Sequence, residues 1–150
     1  MTNASIPLRS DTMKKILVTG ANGQLGSELQ QLAGFYGQFE FLFTDSTVLP
    51  IHDVTRLKTW FAENKPDFCI NCAAYTAVDK AESEPEKAML INGDAVGYLA
   101  KACSEHHTRL LHISTDYVFD GSATEPIPET MPVHPLGAYG ESKQKGEALA

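Results

Sequence analysis

The sequence is short of cysteine and of positive charge, and it has no long apolar run. Three cysteines in 150 residues, an odd and sparse count, argue against a disulfide framework and for a reducing, cytoplasmic setting. Cys69 and Cys72 form a C-x-x-C, but they fall in an apparent strand, where positions three apart point to opposite faces. A redox pair is therefore not expected. Twelve Lys and Arg against nineteen Asp and Glu leave a net charge of -7. Such a surface repels nucleic acid and anionic membrane, so neither is expected as a partner. An anionic small molecule would have to be held by local, directed donors. No stretch approaches the ~18 apolar residues of a membrane span, and the opening MTNASIPLRSDT lacks the apolar core of a signal peptide.

What is present suits one soluble domain. The chain is 43% hydrophobic, and a domain of this length buries roughly 68–70% of its unfolded surface. Residues 1–12 read as a disordered extension, and Met13, followed at once by Lys14, Lys15 and an apolar run, reads as the natural start. Ile16, Leu17 and Val18 are apolar without alternation, the mark of a strand buried on both faces. A helical pattern follows, with Leu25, Leu29 and Leu32 on one side and Gly34 or Gly37 at its end. Residues 39–44 read as a second strand, 54–64 as a helix opened by Asp53 or Thr55, and 68–74 as a third strand. Ser83 and Glu86 have capping-box spacing around Pro85 and open a long helix to about Glu105. Residues 110–114 read as a fourth strand. The proline-rich stretch 120–135 reads as a loop, and a last helix starts near Ala138. Strand and helix alternate throughout, which predicts a doubly wound parallel α/β sheet of the Rossmann type. The last helical pattern is still running at Ala150, so the chain is expected to be the first part of a longer polypeptide.

Gly20, Gly23 and Gly26 form G-x-x-G-x-x-G between a strand and a helix. Glycine permits the tight turn and lets backbone approach a diphosphate, and the helix N-terminus presents free N–H groups and partial positive charge. This gives an acidic protein a way to hold an anion. Asp45 ends the second strand, where a carboxylate would meet an adenosine ribose, although a turn aspartate looks the same in sequence. No arginine is adjacent to it to favour a 2′-phosphate. Asp53 reads equally as an adenine contact and as a helix cap.

Tyr139 and Lys143 are four apart in Y-G-E-S-K, on one helical face. A free phenol titrates near pH ~10, and a nearby ammonium favours its phenolate. The pair suits proton donation to an alkoxide that develops as hydride reaches carbon, and the lysine also suits a cofactor ribose. Thr115, in S-T-D-Y-V-F-D-G, follows the fourth strand, at the end where open α/β sheets bind ligands.

Together the segments KKILVTGANGQLGSELQ, INCAAYTAVDKAESEPEKA, LLHISTDYVFDG and YGESK resemble the extended short-chain dehydrogenase/reductases. Within them the chain is most similar to the dTDP-4-dehydrorhamnose reductase family, over nearly all of residues 13–150. The resemblance implies NADPH- or NADH-dependent reduction of the 4-keto group of dTDP-4-dehydro-L-rhamnose, the last step of dTDP-rhamnose biosynthesis. It places Gly23, Gln24 and Leu25 on the cofactor diphosphate, Asp53 and Val54 at the adenine, and Ala74, Tyr75 and Thr76 along the cofactor. Thr115 and Asp116 approach the sugar, Tyr139 is the proton donor and Lys143 its partner. A homodimer at full length follows from the same resemblance, and some members bind Mg2+ at a subunit contact, with Glu28 as one candidate carboxylate. A solvated helix face suits Glu28 better, and His106 and His107 read as an exposed helix end, so no residue is assigned as a metal ligand. The resemblance implies a second, mostly C-terminal substrate domain, which is expected to lie beyond residue 150.

Two other classes fit the same motifs. A nucleotide-sugar epimerase or dehydratase shares the tyrosine and lysine, but Asp116 is followed by Tyr117 rather than the second acid a dehydratase needs. A cofactor-binding regulatory subunit without turnover would not require Thr115, Tyr139 and Lys143 together.

Overall fold

The computed structural model describes residues 13–150, and the extension expected at 1–12 lies outside them. Strand β1 (Lys14–Thr19) leads into helix α1 (Gln24–Ala33), then β2 (Phe39–Phe43), α2 (Val54–Asn64) and β3 (Phe68–Asn71). Two short helices follow, α3 (Val78–Ala81) and α4 (Pro85–Ala88). A π-helical turn (Met89–Asp94) joins α4 to α5 (Ala95–Glu105). Then come β4 (Arg109–His112), a 3-10 turn (Asp116–Val118) and α6 (Ala138–Leu149).

The four strands are all parallel, in the order β2-β1-β3-β4. The chain runs outward from β1 to β2, then crosses back to β3 on the other side of β1. That reversal opens a crevice beyond the carboxyl ends of β1 and β3, where open α/β sheets bind ligands.

One face of the sheet carries the core. Leu17 and Cys69 are registered neighbours and pack with Leu57 and Phe61 of α2 and with Leu99 and Cys103 of α5. Successive strand residues face opposite ways, so Val18, Ile70 and Leu111, also in register, line the other face. Coverage there is partial: Leu111 is 56% exposed. Within α1 the expected apolar stripe is not a buried one, since Leu25 and Leu32 are exposed and only Gly26 is fully buried.

Local signals decide most boundaries. Asp53 caps α2 by accepting from Arg56 N at 2.9 Å, and Lys65 closes the helix in the left-handed region with φ 48° just before Pro66. Pro85 begins α4 as the spacing predicts, but the capping box does not form. Glu84 is the cap residue and makes no side-chain cap bond, while the Ser83 hydroxyl turns back to Lys80 O. The long helix expected to Glu105 is present, interrupted by the π-helical turn. β3 and β4 stop earlier than expected, leaving 72–77 and 113–115 as non-strand segments at the crevice. Residues 120–135 hold no helix or strand, as their prolines predict.

Candidate functional site

After β1 the chain turns at Gly20, whose φ of 65° lies in the region glycine occupies without strain. A Cβ there would sit 2.6 Å from Ala73 N, so glycine is needed twice over. Gly26 presses against the carbonyl oxygen of Gly20, which lets α1 start close beneath the loop. Gly23 donates to Gly20 O at 3.0 Å and serves as the cap residue of α1 with no side-chain cap. The first-turn N–H groups thus keep their free valence and the positive end of the helix dipole. Gly20, Gly23, Gln24 and Leu25 line a cleft of about 840 Å³; Gly26 shapes it from behind.

The Asp45 carboxylate borders this cleft and is also committed to its own loop. One oxygen accepts from Thr47 Oγ1 (2.6 Å), Thr47 N (2.9 Å) and Val48 N (3.1 Å), and the other from Asn22 Nδ2 (2.7 Å). These bonds, that of the Thr47 hydroxyl foremost, hold Asp45 below the usual carboxylate range. Both readings of Asp45 therefore coexist: it is a turn aspartate at a ligand's doorstep. Asp53 is engaged as the α2 cap, and neither it nor Val54 lines the cleft. Ile51 and His52 do.

Across the crevice, Ala74 and Thr76 line the cleft and Tyr75 does not. Its phenol donates to Glu84 at 3.0 Å. Its backbone is gripped by Asn92, whose Oδ1 accepts from Tyr75 N (2.7 Å) and whose Nδ2 donates to Tyr75 O (2.9 Å). The same amide donates to Ser142 Oγ at 3.0 Å. Asn92 thus ties the cofactor-side segment to α6, a role sequence reading missed. The available signal was a lone amide in a largely apolar helical stretch, where burial demands partners.

Helix α6 brings Tyr139 and Lys143 to the cleft. Lys143 is 2% exposed, and its Nζ donates to Ile113 O at 2.5 Å. Burial lowers its pKa, and Glu147 partly offsets this. The Tyr139 ring stands edge-on to Tyr117 at 5.4 Å between centroids. A Cβ on Gly140 would run into Tyr117 O, so glycine is what allows α6 this close. Ser114 Oγ, also at the cleft, is buried with no hydrogen-bond partner among the described residues, so a ligand in the cleft could satisfy it.

Thr115 lines neither this cleft nor the smaller cavity beside it. Its hydroxyl donates to Asp116 (3.2 Å) and accepts from Tyr117 N (3.3 Å), as a turn hydroxyl would. Asp116 lies in a second, smaller cavity of about 370 Å³ with Tyr117, Phe119, Asp120 and Leu136. The Tyr117–Tyr139 ring contact joins the two spaces. Among the described residues no three His, Cys, Asp or Glu side chains gather to hold a metal, and no helix is long and apolar enough to cross a membrane.

The site fits a dinucleotide on structural grounds: a glycine cradle a Cβ would fill, an uncapped helix N-terminus and an unpartnered buried hydroxyl. Comparison with known proteins agrees. A dTDP-4-dehydrorhamnose reductase of Aggregatibacter actinomycetemcomitans is 44% identical over 137 residues, 91% of this chain and 47% of that protein. The crystal structure of a dTDP-4-dehydrorhamnose reductase from Clostridium acetobutylicum is 48% identical, with a TM-score of 0.86 over 90% of this chain and 48% of the other. One from Bacillus anthracis, in complex with NADP, is 36% identical with a TM-score of 0.88 over 92% and 49%. The chain spans about half the length of these relatives. The family model described as the RmlD substrate binding domain matches residues 13–150, and the chain belongs to that family.

Proposed function

We propose that this chain is the cofactor-binding and proton-donating part of an NAD(P)H-dependent reductase of a dTDP-linked 4-keto-sugar, namely dTDP-4-dehydro-L-rhamnose. One observation carries the reading: Tyr139 and Lys143 line the same cleft as the uncapped N-terminus of α1. The names of the related proteins support the sugar. The reading takes residues 13–150 as an incomplete unit, with a substrate domain supplied by further chain. It takes the protein as cytoplasmic, supported by the free thiols of Cys69, Cys72 and Cys103. A homodimer at full length rests on the resemblance alone.

The α1 N–H groups would hold the diphosphate, Asp45 the adenosine ribose, and Ala74 and Thr76 the wall beyond. A bound nicotinamide cofactor supplies hydride to the carbonyl carbon. Tyr139 passes its phenolic proton to the carbonyl oxygen. Lys143, charged and anchored on Ile113 O, favours the phenolate left behind and offers its remaining N–H donors to the cofactor ribose. Asp116 and Tyr117 would meet the sugar from the second cavity, with Thr115 beside them.

The test is consumption of NAD(P)H by the full-length protein on addition of dTDP-4-dehydro-L-rhamnose. Stoichiometric oxidation supports a reductase. Sugar conversion without net oxidation would make the protein an epimerase or dehydratase, and cofactor binding without turnover a regulatory subunit.

A further inference from the structure

Three registered positions at the carboxyl ends of adjacent strands are polar, each directly after an apolar residue: Thr19 on β1, Asn71 on β3 and His112 on β4. They form one hydrogen-bonded row. Thr19 Oγ1 donates to Asn71 Oδ1 at 2.6 Å, and Asn71 Nδ2 lies 3.0 Å from His112 Nδ1. Thr19 is fully buried and Asn71 is 1% exposed.

The row has a direction. Ala73 N, which can only donate, also points at Asn71 Oδ1, at 3.3 Å. The amide is therefore oriented with its oxygen towards Thr19 and Ala73 and its NH2 towards His112. An NH2 can only donate, so His112 Nδ1 must accept and carry no proton. The imidazole is then the neutral Nε2–H tautomer. Its Nε2 is buried and meets no acceptor among the described residues. An imidazolium would thus lose a hydrogen bond at one nitrogen and gain none at the other.

The neighbour that needs this is Lys143, anchored on Ile113 O, the residue next to His112. It is almost fully buried and makes no carboxylate ion pair among the described residues. The charged and titratable groups on α6 besides Lys143 are Tyr139, Glu141, Lys145 and Glu147; the elements packed on it bring Asp94 in the π-helical turn, Asp116 and Tyr117 in the 3-10 turn, Asp79 and Lys80 on α3, Glu86 and Lys87 on α4, and Tyr98, Lys101, Cys103 and Glu105 on α5. Asp94 and Lys145 pair with each other at 2.6 Å, Glu141 and Glu147 are exposed and Glu147 favours the charged Lys143, and the carboxyl-terminal parts of β1 and β3 contribute the neutral row and the thiol of Cys69, with Lys14 and Lys15 at the opposite end of β1. Gly146 lets α6 lie directly over His112: a Cβ there would come within 3.3 Å of Nε2.

We propose that Asn71 and His112 are positioning residues for Lys143: the oriented amide keeps the imidazole uncharged, so the buried ammonium does not face a second positive charge. Burial, and after it the charge of Lys143, lowers His112 from 6.5 to about 4, in the same sense. The role assigned to Lys143 rests on the reductase reading; the state of the His112 ring does not.

The experiment therefore has two arms. Ring nitrogen and carbon NMR shifts of His112 are followed with pH in the 150-residue chain and in Asn71→Asp, which is nearly isosteric but turns the donor facing Nδ1 into a charged acceptor. The parent should show the neutral Nε2–H form down to about pH 5, and Asn71→Asp should raise the midpoint by at least ~1 pH unit. A parent ring that titrates near 6.5 or carries its proton on Nδ1 overturns the proposal even if the variant fails to fold. An unchanged midpoint in a folded variant overturns it too. In the second arm, the full-length protein reduces keto-sugar as a function of pH. Asn71→Asp should move the acid limb to higher pH, whereas His112→Gln, which cannot titrate, should leave no His112-dependent limb. Limbs that coincide in parent and Asn71→Asp would sink the link to Lys143. Absence of turnover in the parent would defeat the reductase reading, and with it Lys143's role, while leaving the ring assignment to the first arm.

Discussion

Lys143 Nζ donates to Ile113 O at 2.5 Å, so a buried charge ties α6 to the end of β4. A carbonyl is a modest partner for an ammonium at 2% exposure, because desolvation of a buried charge outweighs a single hydrogen bond. Lys143→Met keeps the length and apolar stem and removes the charge. It should leave thermal stability unchanged or raise it, while weakening NADH binding about tenfold, the equivalent of ~1.4 kcal/mol. Calorimetry and cofactor fluorescence on the same samples check both. A large loss of stability would mean the charge is better compensated than its contacts indicate.

Gly26→Ala should damage the fold at the phosphate loop, since its Cβ would press on Gly20 O and lie 2.7 Å from Ala21 Cα. Backbone cannot yield as a flexible side chain does, so a cost of about 1–3 kcal/mol is expected. Gly34→Ala is the control, because a Cβ there meets nothing within 4 Å. Urea midpoints should separate the two clearly.

Asn92→Ala strands Tyr75 N and Tyr75 O and takes one of two hydrogen bonds from Ser142 Oγ, which keeps its bond to Tyr139 O at 2.7 Å. Each buried group left unpaired costs roughly 1–3 kcal/mol, so the variant should lose at least ~2 kcal/mol. Asn92→Asp should recover only part of this, since a carboxylate can accept from Tyr75 N but cannot donate to Tyr75 O. Equal losses in the two variants would show that shape rather than hydrogen bonding matters there.

Stability should fall with acidity in two windows. His112 is lowered from 6.5 to about 4, so between those values the unfolded chain binds a proton the folded chain refuses. The His112 contribution is therefore flat above about pH 6.5 and declines towards pH 4. Asp45, Asp67 and Asp120, lowered from 3.8, and Glu84, lowered from 4.5, stabilise the fold above those values and lose that contribution further down. His112→Gln should flatten the upper window and leave the lower one. Denaturation midpoints at about pH 7, about pH 5 and about pH 3, one above both windows and one in each, distinguish the two.

Much of this was legible in the sequence because strong local signals agreed with the global fold. Ile16, Leu17 and Val18 announced a buried strand, the three glycines a turn and a helix start, and Tyr139 and Lys143 a shared face. What was hidden depends on contacts distant in sequence. Asn92 gains its meaning from Tyr75 and Ser142, and the Thr19–Asn71–His112 row exists only once three strands are in register. Asp45 and Asp53 each had a turn or cap reading beside a ligand reading in sequence, and only their donors show that the turn and the cap are formed. The Ser83–Glu86 spacing misled because Ser83 found a nearer acceptor in Lys80 O, and a π-helical turn leaves no periodic trace.

The most direct test of the central claim compares the full-length protein with its Tyr139→Phe variant, measuring NADPH oxidation in the presence of dTDP-4-dehydro-L-rhamnose. The variant keeps the ring packed against Tyr117 and loses only the proton. The account predicts that kcat falls by roughly 10²–10⁴-fold while cofactor affinity is essentially unchanged. Turnover retained at the parent's rate would contradict the assignment of Tyr139 as the proton donor.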